Sequence, residues 1–149
     1  MAGLVTVDTA RSQALIGFVK ANGKSVSNLS ADVENRFCTI SVTSLESEPI
    51  SRASRLLLTL GSRVENAGMR WNDRRSNLSE WGGSPTLIEP VVGRITLRNL
   101  DRAKAVSAQP LDGSGQPMGE PLRAERKAEG WEFPLGNPVT TWYEVTVTH

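Results

Sequence analysis

Cysteine and histidine are almost missing from this chain, which has one of each, Cys38 and His149, in 149 residues. A lone cysteine cannot close an internal disulfide, so the fold has to stand on its core. The nitrogen and sulfur ligand set of a zinc site cannot be assembled from this inventory, and a Cys–His nucleophile pair is not expected, because its histidine would have to be His149 at the terminus. A Ser-His-Asp triad fails too, because His149 ends the chain and no Gly-x-Ser-x-Gly elbow is present. Cys38 lies in the run Phe37-Cys38-Thr39-Ile40, where a small buried hydrophobe is expected.

An excess of charge of one sign is missing as well. The formal net charge is +1, and Lys and Arg are spread along the chain. No field gathers phosphates, so a nucleic-acid partner is not expected. No apolar run reaches the length needed to cross a bilayer, and a membrane partner is not expected. The start Met1-Ala2-Gly3-Leu4 shows no charged segment followed by an apolar core, so it does not read as a signal peptide. A fragment of a longer secreted enzyme would begin the same way. The expected location is extracytoplasmic in that case and cytoplasmic otherwise.

The third absence is a long amphipathic helix. Arg52 to Leu60 has helix formers but is short and carries consecutive leucines. What fills the chain instead is two-residue alternation. Leu4, Val5 and Val7 open a first strand that ends at Asp8-Thr9, followed by Ala14–Val19 and the turn Ala21-Asn22-Gly23. Leu29–Val33 alternates. Phe37 to Leu45 places Phe37, Thr39, Ser41 and Thr43 on one face, and Cys38, Ile40, Val42 and Ser44 on the other. Leu56-Leu57-Leu58-Thr59-Leu60 is apolar on both faces, as a central strand should be. Thr86–Val91, Ile95–Leu97, Ala103–Leu111, Leu122–Ala128, Trp131–Phe133 and Trp142–Val147 continue the rhythm. Asp112-Gly113-Ser114-Gly115 and Glu129-Gly130 supply the turns. The expected fold is all-β: one antiparallel β-sandwich domain over residues 1–149, Ig-like or jelly-roll-like.

One long stretch, Glu65 to Pro85, lacks this rhythm and reads as a loop. Loops of that length are functional or disordered, and two tryptophans, Trp71 and Trp81, argue for order.

Several runs resemble the C-terminal β-domain of large bacterial glycoside-hydrolase-like proteins: Thr6–Thr9, Leu45–Ile50, Leu56–Leu60, Arg63–Asn72, Trp81–Pro85, Ile88–Val91 and Trp142–Val145. The resemblance spans nearly the whole chain. It implies a β-sandwich appended to carbohydrate chemistry, with the catalytic carboxylates in an upstream barrel domain, so glycosidase activity does not carry over.

Each candidate site has a plain structural reading beside the functional one. Trp71 and Trp81 can offer flat faces to sugar rings, with Arg70, Asn72 and Asp73 hydrogen-bonding hydroxyls; equally, the indoles can anchor the loop on the core. Trp131 and Trp142 fall in strand patterns and are read as packing. Glu65 and Glu89 flank the loop and are the carboxylate pair to inspect for acid–base chemistry, although Arg63 nearby predicts a buried Glu–Arg pair holding the loop. Calcium is the one metal left open, with Glu65, Asn66, Asn72 and Asp73 as oxygen donors, although no Asp-x-Asp-x-Asp-Gly loop occurs. No cofactor is otherwise expected. Gly113-Ser114-Gly115 lies between strands and reads as a hairpin, not a phosphate cradle.

The leading expectation is a non-catalytic accessory module. It would bind carbohydrate through the Trp71–Trp81 loop or pack on an adjacent enzyme domain. One alternative is a small stand-alone hydrolase, with or without a divalent metal, acting on an ester, lactone or glycosidic bond, with Glu65, Asp73 or Glu89 as acid–base groups. Another is an interaction domain that self-associates through an edge strand, with Thr140 to Thr148 as the candidate edge.

Overall fold

Alternation along the strands decides which residues leave water. In a computed structural model that describes residues 3–23 and 25–149, the chain runs β1 (Leu4–Asp8), β2 (Ser12–Gly17), a one-turn helix α1 (Val19–Asn22), β3 (Leu29–Val33), β4 (Cys38–Ser44), β5 (Arg55–Gly61), β6 (Val64–Ala67), β7 (Arg70–Trp71), β8 (Leu78–Glu80), β9 (Gly83–Ile88), β10 (Gly93–Leu97), β11 (Ala105–Leu111), β12 (Leu122–Arg123), β13 (Glu125–Lys127), β14 (Gly130–Leu135) and β15 (Trp142–Thr148). Along β4, Cys38, Ile40, Val42 and Ser44 are buried while Thr39, Ser41 and Thr43 face outward, as the sequence pattern predicts.

A seven-stranded sheet, ordered β1-β2-β4-β5-β15-β11-β12, faces a four-stranded sheet ordered β13-β14-β10-β3, and the pairings within both are antiparallel. One apolar cluster joins them: Leu15, Ile40, Leu58, Val106 and Val145 from the larger sheet meet Leu29, Ile95, Leu97 and Phe133 from the smaller. Across this space the Phe133 and Tyr143 rings lie 6.1 Å apart. The fold is the expected antiparallel sandwich.

Buried polar side chains tie the sheets together at defined points. Gln13 in β2 donates through Nε2 to Asn28 Oδ1 at 2.9 Å and accepts the Asn28 backbone N–H at 2.8 Å. Asn28 Nδ2 in turn donates to the carbonyls of Arg98 and Asn99, just past β10. Each member is satisfied, as a polar group inside an apolar core has to be.

Three expectations change. Leu122–Ala128 is not one strand, because the chain crosses at Ala124 from β12 in the seven-stranded sheet to β13 in the four-stranded one. Trp142–Thr148 is not an edge: β15 pairs with β5 on one side and β11 on the other. Its β-branched residues suit an interior strand just as well as an edge, and chain position does not set sheet position. The stretch 65–85 is not a loop either. β6 pairs with β9 and β7 with β8, so residues 64–88 form a two-stranded arm.

Candidate functional site

The arm holds all the residues singled out for ligand chemistry except Glu89, which sits at its root. Bulges between Asn66 and Ala67 and between Arg70 and Trp71 break its ladder. Gly82, at φ 66°, permits the close passage beside the first bulge, since a Cβ there would run into the Ala67 carbonyl oxygen. Every residue of β9 is exposed.

Its root is held by a small polar knot. Asn35, buried at the end of the sandwich, donates to Pro90 O at 2.9 Å and to Ser62 Oγ at 3.4 Å, and accepts the Val92 N–H at 2.9 Å. Ser62 Oγ lies 2.9 Å from Phe37 O and 2.8 Å from Glu89 Oε2. One side chain thereby grips the strand entering the arm and the strand leaving it.

Above the root, Glu65 and Glu89 do come together. Both border one cavity of about 390 Å³, lined also by Arg63, Asn66, Met69 and Arg75. Arg63 lies between them, 3.8 Å from Glu65 and 3.6 Å from Glu89, and Arg75 forms an ion pair with Glu65. An acid–base pair needs two carboxylates facing free space for the scissile bond. Here the Arg63 guanidinium bridges the two carboxylates, and the four charges act as a clamp on the arm. Asp73 is elsewhere, exposed in the turn at the arm's tip.

The oxygen donors considered for calcium are spread along the arm and already engaged. Asn66 Oδ1 accepts from Thr86 Oγ1 at 2.9 Å, and its Nδ2 donates to Trp81 O at 3.2 Å. Asn72 Oδ1 accepts the N–H groups of Ser76 and Asn77 and closes the tip turn, while Glu65 is taken by its arginines. Among the described residues no group of three or more His, Cys, Asp or Glu is arranged to hold a metal ion.

The two tryptophans differ. Arg75 lies over the Trp71 ring, 5.6 Å from its centroid, so one indole face is occupied. Trp81 is 75% exposed, the most exposed of the large apolar residues. Arg70 pairs across the strands with Glu80 at 3.6 Å. Trp131 is packed against the core, and Trp142 is half-buried.

Sequence reasoning missed the arm's aliphatic surface. Val64 and Ile88 sit opposite each other in register, and both are exposed, as are Leu87 and, beside the root, Val139. A second cavity of about 320 Å³ opens there, lined by Leu60, Ile88, Val91, Met118 and Val139 with Asp112 at its rim. The signal available in the sequence was Leu87-Ile88, within the strand pattern Thr86–Val91.

Cys38 is fully buried, and burial, with Glu89 adding to it, pushes its thiol up to about 11, so it carries no nucleophile. The His149 ring lies 2.8 Å from Asp101 O and 3.4 Å from Ala53 O. No protein-family model, curated protein or solved structure matches this chain.

Proposed function

We propose that this chain is a non-catalytic accessory module of a glycoside-hydrolase-like protein, and that its arm is the surface by which it packs on an adjacent enzyme domain. The observation that carries this reading is an arm open to water on both sides, with Val64, Trp81, Leu87 and Ile88 exposed. A two-stranded ribbon is marginal by itself, and clustered exposed apolar side chains mark contact surfaces. Covering them removes apolar area from water at about 25 cal/mol per Å². The Arg63–Glu65–Arg75–Glu89 clamp keeps the ribbon preorganised, which lowers the entropy cost of binding.

Carbohydrate binding is the second reading, favoured by one specific feature. Trp81 offers an open indole, whereas Trp71 is covered by Arg75.

Amide hydrogen exchange over residues 64–88 separates the two. It is measured with the barrel domain of a glycoside-hydrolase-like protein encoded beside this chain, and separately with an oligosaccharide panel. Slowed exchange with the protein, lost in a Leu87→Ser/Ile88→Ser variant, is the expected result. Slowed exchange with a saccharide, lost in Trp81→Ala, replaces packing by sugar binding, and no change with either rejects the arm as the binding element. Turnover of activated esters or glycosides that disappears in Glu65→Gln, Asp73→Asn or Glu89→Gln overturns the non-catalytic assignment.

A further inference from the structure

Each sheet of a sandwich has two edges, and here three of the four are guarded. β12 is only two residues long, β13 is the charged run Glu125-Arg126-Lys127, and β3 carries exposed Asp32 and is contacted by α1. Such short or charged edges discourage pairing with other chains. β1 is different. It has five residues, Leu4-Val5-Thr6-Val7-Asp8, with no Lys, Arg or Pro, and its ladder with β2 runs without a bulge.

Its one charge does not guard it either. The Asp8 carboxylate is drawn back to its own chain, accepting Ser27 N at 3.0 Å and Ser27 Oγ at 2.9 Å.

The hydrogen-bond phase shows which backbone groups are open. Phe18 N donates to Gly3 O, and Thr9 N donates to Ser12 O. Odd-numbered residues of this strand therefore bond to β2, and strict alternation leaves the N–H and C=O of Leu4, Thr6 and Asp8 facing outward. Val5 and Val7 share a sheet face with Ile16 and Ala14, their register partners on β2, and are 61% and 37% exposed.

We propose that β1 is a dimerisation edge, and that its occupant is β1 of a second copy running antiparallel about a two-fold axis at Thr6. The strand is self-complementary in that register. Thr6 lies opposite Thr6 of the second copy and Leu4 opposite Asp8, so all the outward donors meet outward acceptors. The same register sets Val5 against Val7 in both halves. These are close, non-hydrogen-bonded pairs in which β-branched side chains pack well. A one-residue slip would turn the valines to the other face and lose this pairing. The result is one continuous sheet through both copies. No residue of the arm takes part, so this inference stands apart from the reading of the arm.

Sedimentation of the full chain over a concentration series tests it. The expected mass rises from 16.2 kDa toward twice that value. Thr6→Pro removes an outward N–H that β2 does not use, so the variant keeps the intrachain ladder and stays monomeric throughout. Val5→Lys places a charge on the same edge and gives the same loss if the proline variant fails to fold. Amide exchange at Leu4, Thr6 and Asp8 slows as concentration rises, whereas Val5 and Val7 are protected at every concentration. A wild-type mass of 16.2 kDa at all concentrations overturns the proposal. So does a dimer that survives both substitutions.

Discussion

Cys38 shows how far one buried side chain can set the pH response of the fold. The folded thiol titrates at about 11 against an ordinary value of 9.0, raised first by burial and then by the Glu89 charge. A raised value means that the unfolded chain releases this proton first. The associated stability is complete below pH 9.0 and is lost progressively as pH rises toward 11. Tyr143, whose hydroxyl is raised by burial, acts in the same direction. The urea midpoint should therefore fall across this window, and a Cys38→Ala variant should show a shallower fall. A thiol reagent should modify Cys38 only once the protein is unfolded. Among the polar residues, Asn28→Ala takes one of two acceptors from Gln13 Nε2 and the side-chain donor from the carbonyls of Arg98 and Asn99, and should cost about 1–3 kcal/mol. Trp81→Ala, at an exposed position, should move stability by no more than about 0.5 kcal/mol. Urea denaturation of the two variants checks that contrast.

The arm is the element whose behaviour departs most from the rest. Its strands bury little, so its order rests on the Asn35 knot and the arginine–glutamate clamp. Asn35→Ala should speed amide exchange across residues 64–88 several-fold more than in β4 and β5, with the core amides as internal reference. Added salt should loosen the arm in the same assay, because the clamp's side chains are partly exposed and open to screening. These features also explain why Glu65–Pro85 reads as a loop. A ribbon wet on both faces needs no apolar alternation, and its two bulges shift the residue phase wherever a pattern starts to form. The Glu65–Arg63 pairing was legible from proximity in sequence. Arg75 and Asn35 were not, since strand pairing and folding back bring them in from 10 and 27 residues away respectively, Arg75 to Glu65 and Asn35 to Ser62.

For the molecule as a whole, the decisive feature is where the last strand goes. β15 fills the gap between β5 and β11, so the seven-stranded sheet closes only when residues 142–148 are in place. A chain cut before Trp142 should lose cooperative unfolding altogether, because β5 and β11 would each expose an unpaired edge and the core would lose Tyr143, Val145 and Val147. Circular dichroism during a thermal melt shows this directly. The same long-range pairing predicts slow folding, on the scale of milliseconds to seconds typical of sandwiches.

Alternating residue character was enough to determine that this chain is all-β and that Cys38, Ile40, Val42 and Ser44 point inward, and the apolar run Leu56–Leu60, without alternation, marked the centre of a sheet. Side chains on a strand must alternate between faces, so burial is written locally. Only the tertiary structure decided that Trp142–Thr148 is interior, that Leu4–Asp8 is the open edge, and that Glu65–Pro85 is a clamped ribbon. Those outcomes depend on which strands meet across the fold, and pairing partners distant in sequence leave no mark in either strand's own pattern.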